Sequence, residues 1–237
     1  MRTYIDGLLR ANPYPGRGIV LGLGGGGRSI LIYFIMGRST NSRNRVFERT
    51  ADGIRTKARD PGQMADPSLV IYNPVRVFGG HTIVTNGDQT DTIRERLGDG
   101  GDFRGALLTR EFEPDPPIYT PRISGLVSPG GGYSLSILKT MDGDPACCCR
   151  YFFEYPAPIP GCGHFISTYK TDGDPPPSFV GEPAPVYIPE DGGLEVFAGA
   201  VWDALDGANK VSLYARETDI ATGESHDLII NANTGSV

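Results

Sequence analysis

The sequence predicts an α+β fold built mostly from antiparallel sheets. Glycine (33) and proline (20) are abundant among the 237 residues, which is typical of a chain with many turns. Apolar runs of strand length recur in pairs around glycine-rich turns, so consecutive strands are expected to form hairpins. Few long helical patterns occur. This order of elements favours two stacked sheets with helices outside them rather than an alternating parallel sheet.

The first half of the chain is predicted to contain mostly strands, after a short helix near residues 4–10. In chain order, the predicted strands are residues 18–23, 29–36, 69–72, 76–78 and 82–85. Residues 37–48 are expected to form a polar loop and residues 49–68 an irregular segment. Gly22–Gly27 matches G-x-G-x-x-G, but a strand follows it where a dinucleotide-binding motif requires a helix, so we reject such a site.

The second half adds the clearest helical patterns. Residues 91–110 are predicted to be helical with a break near 98–101, with Thr92 and Glu95 as a capping box and Asp102 as a second start. The other predicted strands are residues 120–127, 133–139, 165–169, 211–216 and 226–231. Residues 194–205 are expected to form an amphipathic helix. Its buried stripe is predicted to consist of Leu194, Phe197, Val201 and Leu205.

Charge and composition exclude several classes of protein. The net charge is −6, yet residues 1–60 carry +7 and the rest −13. This asymmetry is either a chance surface feature or a local anion site, and the acidic whole makes nucleic acid an unexpected partner. The longest apolar run, residues 29–36, suits a buried strand and is too short for a membrane span. Without a signal-peptide pattern, a cytoplasmic location is expected.

Three groups of polar residues are candidates for a site. Arg38, Arg43 and Arg45 lie among hydroxyl and amide residues after a predicted strand, where they could form a phosphate-binding loop. The second group is the polar exit of the strand at 82–85, namely residues 86–91, which is typical of a ligand-binding loop but also of an ordinary turn. The third is Glu111 with Glu113; if this segment is extended, the two carboxylates share a face and one could act as acid or base.

The four cysteines give little sign of a metal site. Cys147, Cys148 and Cys149 are consecutive, and Cys162 lies two residues before His164 without any C-x-x-C pair. Reduced thiols are therefore expected, and no metal.

The order of several motifs resembles one family. These motifs are Arg38-Ser39 with Asn44-Arg45, Tyr72-Asn73-x-x-Arg76, Thr85-Asn86-Gly87-x-x-Thr90-Asp91-Thr92-Ile93, Thr120-Pro121-Arg122-Ile123 and Ile166-Ser167-Thr168-Tyr169. Over about residues 15–170, the chain resembles the stand-alone IMP cyclohydrolases found in archaea. The resemblance implies a four-layer αββα sandwich similar to the N-terminal nucleophile hydrolases. It also implies the closure of formamido-AICAR ribonucleotide to IMP in purine biosynthesis, without cofactor or metal.

The resemblance also implies roles for individual residues. Arg38 and Arg45 would bind the 5′-phosphate, and Tyr72 would act as a donor or acid near the base. Glu111 or Glu113 would be the base or orient the carboxamide, and Arg122 would support a carboxylate or the oxyanion. The remaining residues expected to contact the substrate are Asn73, Arg76, Asn86, Asp88 and Thr90.

The chain also departs from the family pattern. A single domain is expected over residues 1–237, with a lead-in at 1–13 and insertions at 140–163 and 172–185 that form a lid, an oligomer contact or neither. The sequence leaves open whether the protein forms a homo-oligomer. Two other functions stay open: an amidohydrolase of the same fold using the thiols of Cys147–Cys149, and a non-catalytic purine-nucleotide-binding protein.

Overall fold

Two antiparallel sheets and a few helices make up the computed structural model, which describes residues 1–64, 67–190 and 193–232. Its helices are α1 (Ile5–Ala11), α2 (Thr40–Arg43), α3 (Gln89–Gly98), α4 (Phe103–Leu107) and α5 (Gly193–Ala204). Its strands are β1 (Arg17–Leu23), β2 (Arg28–Met36), β3 (Arg45–Thr50), β4 (Gly53–Ala58), β5 (Val75–Phe78), β6 (His81–Thr85), β7 (Arg122–Val127), β8 (Tyr133–Met141), β9 (Asp144–Tyr155), β10 (Cys162–Ser167), β11 (Ala184–Tyr187), β12 (Lys210–Asp219) and β13 (Ser225–Asn231).

The two sheets differ in how local their connections are. The seven-stranded sheet follows chain order from β3 to β9, so each strand pairs with the next. The six-stranded sheet has the order β11-β10-β1-β2-β12-β13, which brings the last four strands beside the first hairpin. Pairing within both sheets is antiparallel, as the hairpin pattern of the sequence predicts.

Alternating side chains place the two sheets face to face. In β1, Ile19 and Leu21 point into a core shared with the seven-stranded sheet, while Val20 points into a core shared with α1 and α5. A third apolar cluster joins α3 and α4 to the other face of the seven-stranded sheet. The layers therefore run helix, sheet, sheet, helix, and the α+β prediction with mostly antiparallel sheets is confirmed.

Several predicted elements are present. The first hairpin, the hairpin around Gly79-Gly80 and the hairpin at the end of the chain all form. Gly79 and Gly80 have φ angles of 56° and 78°, which explains why the turn uses glycine. The predicted core stripe of α5 is buried, as Leu194 and Val201 illustrate.

Other predictions are wrong. The segment at 49–68 is irregular only in part: residues 49–58 complete β3 and form β4, which pair along their whole length, and residues 61–63 form one 3-10 turn. Residues 65–66 of this prediction lie outside the described residues. The loop predicted at 37–48 contains α2 and the start of β3. Its pattern was misleading because β3 begins with a buried arginine, Arg45, where apolar alternation requires a core residue. Conversely, residues 69–72 form a turn rather than a strand.

The helix predicted from residue 91 begins earlier, at Gln89. Thr92 and Glu95 therefore lie within the helix and do not form its capping box. The preceding Asp88 does not cap the helix either, because its carboxylate pairs with two arginines instead. The predicted second start is confirmed, since the Asp102 side chain accepts a hydrogen bond from the Gly105 amide.

The segments predicted as a lead-in and as insertions contain ordered elements, although their standing relative to the family stays a prediction. Residues 1–13 include α1, whose Ile5 and Leu9 are buried in the core with α5. Residues 140–163 include β9, the edge strand of the seven-stranded sheet, which carries the three consecutive cysteines as free thiols. Among the described residues, no helix is long and apolar enough to cross a membrane.

Candidate active site

Buried charge gathers at one end of the sandwich, where β1, β3 and β7 begin and β2, β6 and β10 end. Arg17 is 9% exposed, Arg45 0%, Glu113 2% and Arg122 5%. Removing four charged groups from water costs free energy unless partners replace the water. Such a group of buried charges marks this end of the molecule as the candidate active site.

Arg45, at the start of β3, has an unused guanidinium fork. Its Nε donates to the Ser42 carbonyl oxygen at 2.8 Å. Both terminal nitrogens, Nη1 and Nη2, are buried without a hydrogen-bond partner among the described residues. Burial and the nearby charge of Arg17 lower the pKa of Arg45. Two free, parallel donors are suited to bidentate binding of an oxyanion such as phosphate.

Arg17 enters the same space from β1. Its backbone amide donates to the Thr168 hydroxyl at 3.1 Å, while its side-chain Nε has no partner among the described residues. Burial opposes the charge of Arg17, but the carboxylate of Glu113 reverses this effect and raises the pKa of the guanidinium. Arg17 therefore stays charged beside Glu113.

Glu113 is a buried carboxyl group of this cluster that titrates near neutral pH. Burial raises the pKa of Glu113 to about 7, although the charges of Arg17 and Arg122 act in the opposite direction. Its backbone amide donates to the Thr120 carbonyl oxygen at 2.9 Å, and the Asn86 side-chain amide lies 3.5 Å from Oε1. A carboxyl group with a pKa near 7 can both accept and return a proton at neutral pH.

Two tyrosines connect the sheets beside these charges. The hydroxyls of Tyr33, on β2, and Tyr72, in the turn before β5, lie 2.9 Å apart. Burial and the neighbouring Tyr72 hydroxyl raise the pKa of Tyr33 well above its ordinary value. Thr56 fixes the backbone of Tyr72: the Tyr72 amide donates a hydrogen bond to the Thr56 hydroxyl at 2.8 Å. The Tyr72 hydroxyl thus has a defined position.

The polar exit from β6 is largely used to hold the backbone. The Asn86 side chain donates to the Pro121 carbonyl oxygen at 2.9 Å and accepts from the Ile123 amide at 2.8 Å. The hydroxyl of Thr90 lies 2.6 Å from that of Thr85. Asn86 thus joins β6 to β7 and faces Glu113, whereas Thr90 is buried in the first turn of α3.

Arg122 is held between α3 and the loop before it. Its Nη1 donates to Gln89 Oε1 at 2.6 Å and lies 2.7 Å from Asp88 Oδ1. Asp88 also accepts from Arg110 at 2.5 Å. These two arginines overcome the effect of burial and lower the pKa of Asp88. Asp88 therefore orients Arg122 in this structure.

The predicted arginine loop is not one cluster. Arg38 is exposed, donates to Asp172 Oδ1 at 2.7 Å and lies over the ring of Tyr14 at 4.6 Å. Arg43 donates to the Gly37 carbonyl oxygen and to Asn209. The short helix α2 turns the chain between them, so that only Arg45 is directed into the interior.

Three other candidates lie outside the buried cluster. Glu111 and Glu113 do not share a face, because the segment is not extended: the side chain of Glu111 is 66% exposed, 3.7 Å from Arg150. Arg76 pairs at 2.6 Å with both Asp52 and Asp91. Asn73 is half-buried in the turn before β5.

Sequence reasoning missed four members of the cluster. Arg17 and Tyr33 occupy inward-facing positions of strands that otherwise contribute apolar residues to the core. Gln89 pairs with Arg122, and the hydroxyl of Tyr169 lies 3.0 Å from that of Thr120. A charged residue within a buried strand, such as Arg17, was the available signal.

Neither a metal-binding cluster nor a large cavity coincides with the buried charged groups in the described part of the chain. Among the described residues, no group of three His, Cys, Asp or Glu side chains could hold a metal ion. His164 instead uses Nδ1 in a 2.8 Å hydrogen bond with the Tyr133 hydroxyl. A surface cavity of about 660 Å³ lies beside α1, α5 and β11, but its described lining contains none of the buried charged groups.

Comparison with known proteins identifies the family of this chain. The sequence matches the family described as IMP cyclohydrolase-like protein over residues 14–223. An IMP cyclohydrolase of Halobacterium salinarum is 34% identical over 130 residues, which are 53% of this chain and 63% of that protein. An IMP cyclohydrolase of Methanopyrus kandleri is 28% identical over 159 residues, 66% of this chain and 75% of that protein.

The match to the Halobacterium protein thus spans about three fifths of that relative's length. An IMP cyclohydrolase of Methanococcus aeolicus matches with 28% identity over 124 residues, 51% of this chain and 61% of that protein. Since the family match extends from residue 14 to residue 223, the chain belongs to the IMP cyclohydrolase-like family.

Proposed function

We propose that this protein is an IMP cyclohydrolase that closes formamido-AICAR ribonucleotide to IMP in the cytoplasm. The observation that carries the proposal is the buried pair of Glu113, whose pKa is about 7, and Arg17, beside the free guanidinium fork of Arg45. A proton acceptor and an anion-binding fork at one end of the molecule are what this reaction needs. The family match and the names of the relatives support the same activity.

In the proposed reaction, the carboxamide nitrogen attacks the neighbouring formyl carbon and a C–N bond forms. Glu113 accepts the N–H proton, and Arg17 or Arg122 stabilises the negative charge that develops on the formyl oxygen. That oxygen takes up protons, one of them returned by Glu113, and leaves as water when the C–O bond breaks. The formamide nitrogen loses its proton to complete the ring. Both reacting groups belong to one substrate, so orientation supplies much of the rate.

Substrate positioning is part of the proposal. Arg45 binds the 5′-phosphate, because its two free donors match two phosphate oxygens. Tyr72 donates a hydrogen bond to the base, and Tyr33 fixes its hydroxyl. Arg38 contributes to phosphate binding only when its ion pair with Asp172 breaks. Since Arg76, Asp88 and Thr90 are engaged with protein groups, we assign them to supporting the site.

We also propose that the helix–sheet–sheet–helix order corresponds to the N-terminal nucleophile hydrolase architecture. The three apolar clusters that separate the layers support this assignment. The reaction proposed here does not require an N-terminal nucleophile, because a carboxyl group and guanidinium groups supply its chemistry.

The decisive experiment adds formamido-AICAR ribonucleotide to the purified protein and follows IMP formation by ultraviolet absorbance. Turnover is expected for the wild type and its loss for Glu113→Gln, while Arg45→Ala is expected to weaken binding of IMP. Arg55→Ala is a matched control, since Arg55 forms a surface ion pair with Glu48. Unchanged affinity in Arg45→Ala would refute the phosphate assignment, and full turnover in both Glu113→Gln and Tyr72→Phe would refute the acid and base roles.

The same assay separates the rival functions. A non-catalytic nucleotide-binding protein would bind IMP without converting the substrate. An amidohydrolase that uses a thiol would lose activity when Cys147, Cys148 and Cys149 are replaced by serine. No described contact joins these thiols to Arg17, Arg45 or Glu113, so we expect cyclisation to survive their replacement.

A further inference from the structure

The base proposed above lies in an irregular segment. Residues 108–121 contain neither helix nor strand, and Glu113 is near their middle. A long segment of this kind needs contacts with rigid elements to hold a catalytic group in place. Its later half is closed on itself, since Asp115 accepts hydrogen bonds from the Thr120 amide at 2.7 Å and from the Thr120 hydroxyl at 2.6 Å. Its earlier half is held differently.

Arg150, on the edge strand β9, holds that earlier half. Its Nη2 and Nε both donate to the Arg110 carbonyl oxygen, at 2.9 Å and 3.2 Å. Its Nη1 lies 3.4 Å from the Cys148 carbonyl oxygen, which orients the guanidinium plane against its own strand. The side chain is 26% exposed, so water competes little for these donors. The ion pair with exposed Glu111, at 3.7 Å, contributes little beside them.

The residue that Arg150 holds is connected to the cluster in two ways. Through the backbone, Arg110 lies three residues before Glu113. Through its side chain, Arg110 donates to Asp88, whose other oxygen lies 2.7 Å from Arg122. A shift of Arg110 would therefore displace both the carboxyl group and the guanidinium that faces it.

We propose that Arg150 is a positioning residue that fixes Glu113 in its buried site through the carbonyl group of Arg110. The inference rests on the proposed function for its effect on turnover, but its effect on Glu113 itself can be measured without turnover. Removing the guanidinium leaves the carbonyl group without its donors and loosens residues 108–113, which admits water to Glu113.

The charged groups that face Glu113 would all remain after substitution of Arg150. Arg17 projects from β1, Arg45 from β3 and Arg122 from β7, and Asp115 belongs to the same irregular segment. Because these charges stay, a change in the titration of Glu113 would report a change in its burial and placement.

The experiment compares wild type with Arg150→Ala, Arg150→Lys and the surface control Arg55→Ala. The carboxyl carbon of Glu113 is titrated by ¹³C NMR and assigned from its disappearance in Glu113→Gln. We expect the titration midpoint of Arg150→Ala to lie below that of wild type, and kcat to fall by roughly tenfold or more with KM within about twofold. The lysine variant keeps one donor for the carbonyl oxygen. Its titration midpoint and its kcat are therefore expected to lie between those of Arg150→Ala and those of the wild type. Thermal unfolding checks that each variant is folded.

The outcomes separate the two proposals. A lowered midpoint with reduced kcat supports both. A wild type without cyclisation activity refutes the proposed function, but the NMR midpoint still tests the position of Glu113. An unchanged midpoint in folded Arg150→Ala overturns the inference whatever the activity, as does an equal effect of Arg55→Ala. If Arg150→Ala does not fold, an unchanged midpoint in Arg150→Lys overturns it.

Discussion

Glu113→Gln is expected to make the protein more stable at alkaline pH while removing its proposed activity. Burial raises the pKa of Glu113 from 4.5 to about 7. Each pKa unit corresponds to about 1.4 kcal/mol, so keeping the ionised carboxylate in the folded state costs about 3 kcal/mol. Glutamine has a similar shape and no charge to bury. The gain would therefore begin above about pH 4.5, where Glu113 of the unfolded wild type ionises, and would be complete above about pH 7.

The direction of the pH dependence follows from the raised pKa. Below pH 4.5, Glu113 is protonated in both the folded and the unfolded protein and causes no loss of stability. Between pH 4.5 and about 7, the unfolded chain loses its proton first, so the free energy of unfolding of the wild type falls. Above about pH 7 the full loss is present. Comparing variant and wild type at each pH removes the contribution of groups that both share.

Differential scanning calorimetry at pH 4.5 and pH 8 measures this difference. At pH 8 we expect the Tm of Glu113→Gln to exceed that of the wild type by about 6–12 °C, given about 3 kcal/mol in a chain of this length. At pH 4.5 the two should nearly coincide. Glu224→Gln, which changes an exposed carboxylate in the turn before β13, is the control. A variant that is less stable at pH 8 than the wild type, or a Tm difference independent of pH, would refute the reasoning.

Three further substitutions test other contacts. Tyr33→Phe removes the 2.9 Å hydrogen bond to Tyr72, and we expect kcat to fall by roughly fivefold to tenfold, with little change in Tm. Asp172→Asn weakens the partner of Arg38, and steady-state kinetics should show KM falling by up to about fivefold; a higher KM would mean that Arg38 does not bind substrate. Gly87→Ala would place the new Cβ atom 2.4 Å from Nη1 of Arg122 and so displace that guanidinium. We expect turnover to be lost while the circular dichroism spectrum is retained.

The sequence was sufficient where local pattern and tertiary contact agree. The glycine pair between β5 and β6 and the apolar stripe of α5 follow from backbone conformation and helical periodicity, which need no distant partner. It was insufficient at β3. That strand begins with Arg45, whose burial is explained by residues far along the chain, so the alternating pattern did not reveal it.

The candidate site shows the same division. Tyr72, Asn86 and Arg122 were identified from the order of motifs, and Glu113 from its spacing to a second carboxylate; all four lie at one end of the sandwich. Arg17 was not, since its importance comes from the antiparallel pairing of β1 with β2 and β10, which places it at this end of the sandwich. Contacts between distant strands are absent from any local pattern.

The unpaired guanidinium fork of Arg45 has a consequence for the native state as a whole. Like charges at Arg17 and Arg45 oppose each other inside the protein, and an anion that binds there relieves this repulsion only in the folded chain. Anion concentration would then enter the folding equilibrium, adding about 3 kcal/mol when it is a hundred times the dissociation constant. The nucleotide would be both the molecule transformed and a ligand that keeps the chain folded.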